Sequence, residues 1–117
     1  MTEQATESMI QASAPTAPRI TPEDLDHAID QVIYFTGEQA HTAAYPDRYV
    51  PKLLNLMTFC IIILKNGFTV TGQSACVSPE NYRQDIGEKI AYENARNQLW
   101  PLLGFHLKET LYSQVLS

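Results

Sequence analysis

Phe59-Cys60-Ile61-Ile62-Ile63-Leu64, then Lys65-Asn66-Gly67, then Phe68-Thr69-Val70-Thr71-Gly72-Gln73-Ser74, reads as a β-hairpin. Two β-branched and aromatic runs flank Asn66-Gly67, whose residues tolerate the positive φ angles of a two-residue type I′ turn. A turn there makes Lys65 face Phe68, Leu64 face Thr69, Ile63 face Val70 and Ile62 face Thr71. Side chains alternate between faces, so Phe59, Ile61, Ile63, Phe68 and Val70 share one apolar face that must be covered. The other face sets Cys60, Ile62 and Leu64 beside Thr69, Thr71 and Gln73. Two readings of that mixed face stay open: a half-wet antiparallel sheet, or a surface that meets a second subunit or a ligand through the threonine hydroxyls.

Upstream, Thr21-Pro22-Glu23-Asp24 opens a helix, with Thr21 as cap, Pro22 at the first position and Asp24 as the box partner. Leu25, Ile29, Val32 and Ile33 recur at i, i+4, i+7 and i+8, an apolar stripe suited to covering the hairpin. Gly37 ends this helix. Gln39 to Lys52, broken by Tyr45-Pro46 and Val50-Pro51, reads as a loop. Residues 1–20, rich in Thr, Ser, Ala, Gln and Pro, read as a disordered tail that cannot bury enough apolar surface to offset ordering.

Downstream, Ser78-Pro79-Glu80-Asn81 signals another helix start, with Ser78 as cap. Gly87, Ala91 and Ala95 line up at i, i+4 and i+8, a small-residue seam that lets another helix or a flat ligand approach the backbone. Asn94 falls inside the apolar arc, where its amide either cross-links the fold or reads a ligand. Trp100-Pro101 breaks the helix, because proline removes a donor. Leu102, Leu103, Phe105, Leu107, Leu111 and Val115 make a last helical element. The fold class expected is α+β: one N-terminal helix, an antiparallel hairpin-based sheet, and a long C-terminal helical segment broken at a proline, all within one domain at 21–117.

The 117 residues carry a formal net charge of −5, which argues against a duplex nucleic-acid binder. The charge is uneven: residues 1–64 hold eight acids and three bases, and residues 65–117 hold five of each. An anionic ligand is therefore least repelled by the second half. In the expected register Cys60 and Cys76 fall on opposite faces of the hairpin, which argues against a disulfide between them. With His27, His41 and His106 they form no zinc spacing, so no metal or cofactor is expected. No secretory signal opens the chain and no apolar run is long enough to span a bilayer, so a cytoplasmic location without membrane contact is expected. Neither a phosphate loop nor a catalytic triad is present. A binding protein is expected rather than an enzyme.

The stretch Thr58-Phe59-Cys60, Leu64 to Gly72, Ser74-Ala75-Cys76, Pro79-Glu80-Asn81-Tyr82, Ile86-Gly87, Lys89-Ile90-Ala91, Asn94-Ala95, Leu99-Trp100-Pro101-Leu102, Gly104 and Leu107 resembles a known pattern. It is that of the small phage and prophage family named for gene 49 of phage N4 and gene 66 of phage Sf6. The likeness covers about Thr21 to Leu111. By size and layout the chain also resembles, more loosely, the Thoeris anti-defence sponge proteins of phages. That second resemblance implies binding of a cyclic ADP-ribose isomer or a cyclic oligonucleotide in pockets between subunits, without cleavage, in a homodimer or higher homo-oligomer. A nucleotide pocket needs an aromatic for the base, an amide for its edge, and cations or helix N-termini for phosphates. Tyr82, Arg83, Asn94, Arg96 and Lys108, with Thr69 and Thr71, are the candidate ligand-binding residues, and the Gly87/Ala91/Ala95 seam is the expected subunit contact. The competing class is a phage structural or regulatory protein-interaction module that works through the mixed hairpin face.

Overall fold

The computed structural model describes residues 2–14 and 17–116. Its elements are α1 (Glu3–Ala12), α2 (Pro22–Ala28), β1 (Ile29–Thr36), α3 (Gly37–Ala44), β2 (Met57–Leu64), β3 (Thr69–Ala75), α4 (Gln84–Asn97) and α5 (Leu99–Leu116). The class is α+β, as expected. The chain divides into two compact units, Met1–Ala28 with Leu99–Ser117, and Ile29–Gln98.

The second unit is a three-stranded antiparallel sheet in the order β1-β2-β3, with α4 packed on β2 and β3. The hairpin is present, but its register is one residue away from the expected one. Ile63 faces Thr69, Ile62 faces Val70 and Ile61 faces Thr71. Gly67 has φ +91°, whereas Asn66 is not among the positive-φ residues, so the two-residue type I′ turn does not form. The Asn66 side chain instead accepts from the Phe68 N–H, and the Leu64 N–H donates to the Phe68 carbonyl across a three-residue loop. A turn followed by a left-handed glycine is the usual three-residue solution.

One residue of slip exchanges the faces of one strand relative to the other. Val70, Gly72 and Ser74 now share a face with Thr58, Cys60 and Ile62, and α4 covers that face. Thr58, Cys60, Ile62, Leu64 and Val70 are buried there. Phe59, Ile61 and Ile63 lie on the opposite face with Thr69, Thr71 and Gln73, so the face expected to be covered is the open one. Phe35 of β1 stacks on Phe59 at 5.3 Å, and Ile33, opposite Ile61, is 39% exposed.

Glycine sets how closely α4 approaches. A Cβ on Gly72 would stand 2.3 Å from the Ala91 carbonyl oxygen and 2.4 Å from the Ala95 nitrogen, and one on Gly87 would stand 2.8 Å from the Thr58 hydroxyl. The small-residue seam therefore receives β2 and β3 of the same chain. Ala91 and Ala95 are wholly buried, which corrects the expectation that the seam is the subunit contact. Three side chains fasten this layer. The Ser74 hydroxyl donates to the Gly87 carbonyl (2.7 Å), the Asn94 amide to the Gln73 carbonyl (2.8 Å), and the Gln98 amide to the Thr71 carbonyl. The ladder bonds of β3 alternate along the strand, and with Leu64 bonded to Phe68 they leave the Thr71 and Gln73 carbonyls on its outer edge.

Three further expectations change. The apolar stripe from Leu25 to Ile33 does not make one helix: α2 stops at Ala28 and Ile29–Thr36 is strand β1. Ile29, Val32, Ile33, Tyr34, Phe35 and Thr36 are β-branched or aromatic, and the place beside β2 outweighs the helical spacing. Gln39 to Ala44 belongs to α3, not to a loop: Thr36 and Gln39 form a reciprocal capping box that starts the helix. Glu3–Ala12, expected as disordered, is helical, and Arg19 pairs with Glu7 at 2.7 Å. That tail reading also takes in Met1, Pro15 and Thr16, which lie outside the described residues.

In the first unit, α2 packs against α5, and Leu25 and Leu99 are wholly buried. The C-terminal helical segment is interrupted at Gln98, between α4 and α5. A proline ring clashes with the carbonyl four residues back, and four residues before Pro101 is Asn97, the last residue of α4. Pro101 itself sits in the first turn of α5, where no intrahelical acceptor is needed.

Candidate functional site

The helix start expected at Ser78 lies further on. Pro79–Asn81 is a single 3-10 turn, and the Ser78 hydroxyl bonds the Glu80 carboxylate instead of a backbone N–H. Tyr82 and Arg83 follow in extended conformation, and α4 begins at Gln84 with Arg83 at the cap position and no side-chain cap. The first N–H groups of a helix have no partner inside it. The Arg83 side chain takes none of them, while the Asp85 carboxylate in the first turn accepts from the N–H groups of Asp85 and Ile86.

This uncapped end borders two grooves. One, of about 230 Å³, is lined by Leu56, Ser74, Cys76, Tyr82, Arg83 and Ile86, among others. The other, of about 560 Å³, runs past Thr36, Gln39, Asn55, Pro79, Tyr82 and Gln84. Tyr82 and Leu56 line both. The Tyr82 hydroxyl lies 3.4 Å from the Thr58 hydroxyl, which fixes the ring against β2. Small-molecule sites are clefts of roughly 300–1,000 Å³, and the larger groove falls in that range.

Arg83 supplies the local positive charge. Its guanidinium pairs with Asp85 at 2.7 Å and holds that carboxyl below the ordinary aspartate range. Both side chains are about two-thirds exposed, and exposed pairs are worth little. An incoming anion can therefore compete for the guanidinium. The Cys76 thiol donates to the Ser78 carbonyl at 3.1 Å on the groove wall.

The other candidate residues lie elsewhere. Asn94 is committed to the Gln73 carbonyl. Arg96 is buried, donates to the Tyr92 hydroxyl at 3.0 Å and has its guanidinium 5.9 Å from that ring. Thr69 and Thr71 are on the open sheet face, away from α4. Lys108 is on α5, in the other unit. Of the seven candidates, the structure brings together Tyr82 and Arg83. Leu56, Cys76 and Ile86 complete the groove and were not singled out from the sequence. The apolar residues gave no chemical signal, and the thiol stood out only for its redox state.

Among the described residues, no cluster of His, Cys, Asp or Glu can hold a metal ion, and no helix is long and apolar enough to cross a membrane. The model of the phage protein (N4 Gp49/phage Sf6 gene 66) family matches residues 20–111. The chain belongs to that family. The match takes in β1 to β3, α4, the grooves beside Tyr82 and most of α5. No curated protein and no solved structure matches the chain.

Proposed function

We propose that this phage-family protein binds and sequesters a nucleotide-derived immune signal, a cyclic ADP-ribose isomer or a cyclic oligonucleotide, without cleaving it, in the host cytoplasm. The observation that carries this reading is the uncapped N-terminus of α4 opening beside Tyr82 and Arg83. N–H groups at a helix start attract phosphate, here in competition with the exposed Asp85 carboxylate; an arginine adds a planar charged fork, and a tyrosine face stacks on a base. The net charge of −5 and Glu38 on the larger groove oppose an anion, but Tyr82, Arg83 and the start of α4 belong to the half whose charges balance.

The test is a thermal-shift screen of the full chain against cyclic ADP-ribose isomers, cyclic dinucleotides and cyclic trinucleotides. At a hundredfold excess over its dissociation constant a ligand stabilises the fold by about 2.7 kcal/mol. Tyr82→Ala should lose the shift and Tyr82→Phe should keep it, because the stacking face survives. A flat screen, a shift unchanged in Tyr82→Ala, or recovery of hydrolysed ligand refutes the proposal.

A second reading has its own support. The open sheet face carries Ile33, Phe35, Phe59, Ile61 and Ile63, and a groove of about 340 Å³ crosses it past Thr71 and Gln73. An apolar patch of that kind suits a protein-interaction module. This reading expects no nucleotide affinity and loss of partner binding in Ile61→Glu.

A further inference from the structure

The helix α5 carries apolar residues on more than one side. Leu103, Leu107 and Leu111, spaced four apart, are half-buried. A second stripe is exposed: Phe105 is 68% and Tyr112 60% open to solvent, and Leu102, Val115 and Leu116 flank them, also exposed. A helix apolar beyond one face is made to be covered on more than one face. Residues seven apart stand almost above one another, so Phe105 and Tyr112 define the centre line of this second stripe.

Midway between those rings come Lys108 and Glu109. At 100° per residue they project about 50° to either side of the centre line. Neither belongs to the Arg19–Glu7 or Arg83–Asp85 ion pair. The seam is thus apolar along its middle, with a cation on one side and an anion at nearly the same height on the other.

That layout matches a second copy of itself in one orientation only. A two-fold axis running along the helices exchanges the two sides of the seam, so each Lys108 meets a Glu109. A two-fold across the helices keeps the sides and sets Lys108 against Lys108 and Glu109 against Glu109. We propose that α5 pairs with α5 of a second copy, parallel and in register, with Phe105 on Phe105, Tyr112 on Tyr112 and two crossed Lys108–Glu109 pairs. The interface is isologous. An 18-residue helix makes a small contact, so the dimer is concentration-dependent. This pairing does not depend on what the groove beside Tyr82 binds.

The experiment is sedimentation equilibrium of the full chain over a concentration series, with circular dichroism to confirm that each variant is folded. Lys108→Glu alone and Glu109→Lys alone turn both crossed pairs repulsive, and each should weaken dimerisation roughly tenfold, about 1.4 kcal/mol. The double variant Lys108→Glu with Glu109→Lys restores the pairs and should return the dimer to wild-type strength. Tyr112→Cys should cross-link to itself under mild oxidation well above the wild-type background, as parallel helices require. A chain that stays monomeric overturns the proposal and assigns the stripe to a different partner. A dimer indifferent to the single reversals, or one the double variant does not restore, overturns it in favour of another surface such as the open sheet face.

Discussion

Replacing Gly72 by alanine tests the close contact on which the sheet unit depends. The new methyl carbon would lie 2.3 Å from the Ala91 oxygen and 2.4 Å from the Ala95 nitrogen, both backbone atoms that no rotamer change can move. Ordinary contact begins at 3.4 Å, so α4 must withdraw by 3.4 − 2.3, about 1 Å. A withdrawal of that size stretches the 2.8 Å Asn94–Gln73 bond beyond hydrogen-bonding distance and strains the Ser74–Gly87 bond similarly. Two lost bonds at about 1 kcal/mol each, with about 1–3 kcal/mol for overpacking, give a loss of about 3–5 kcal/mol. At a urea dependence of roughly 1.5 kcal/mol per molar the unfolding midpoint should fall by about 2–3 M. Gly104→Ala is the control: no atom lies within 4 Å of its added Cβ, and helix propensity should stabilise it by roughly 0.5–1 kcal/mol. A Gly72→Ala protein within about 1 kcal/mol of wild type would refute the packing argument.

Other outcomes follow from the same layer. Asn94→Ala should cost about 1 kcal/mol in urea titration, because it removes the donor to the Gln73 carbonyl. It should leave nucleotide affinity unchanged, since that amide is already committed; a loss of affinity with unchanged stability would reverse the assignment. Burial pushes the Cys60 thiol above its ordinary value of 9.0. The folded chain therefore holds that proton while the unfolded chain releases it, so stability is full below about pH 9 and falls as pH rises beyond. Urea midpoints at pH 8 and pH 10 check the sign, and Cys60→Ser should flatten the difference. In the native protein a thiol reagent should label Cys76, which is partly exposed, and reach Cys60 only after unfolding.

Much of the fold was legible because its signals are local. The paired β-rich runs around Asn66-Gly67 mark a hairpin, and Pro101 marks the end of a helix one turn upstream. The errors arose where two local codes compete. Asn-Gly serves both a two-residue and a three-residue turn, and choosing between them moves every side chain of one strand to the other face. Ile29 to Thr36 satisfies a helical stripe and a strand composition together, and only the neighbouring β2 decides. The Thr36-to-Gln39 box was a readable helix start, hidden by the assumption that Gly37 ends one. For the site, Tyr82 and Arg83 could be placed together because they are adjacent in sequence. Thr69 and Thr71 could not, because their face depended on the register.

The Asn94 and Gln98 bonds have a consequence beyond holding α4. An open sheet edge offers free carbonyls to any passing strand, and this invites fibrils and runaway polymerisation. On β3 two of those outward carbonyls, at Thr71 and Gln73, are already occupied by amides from the chain's own helix. The β3 edge is thereby blunted against strand addition without a charge, a proline or a bulge.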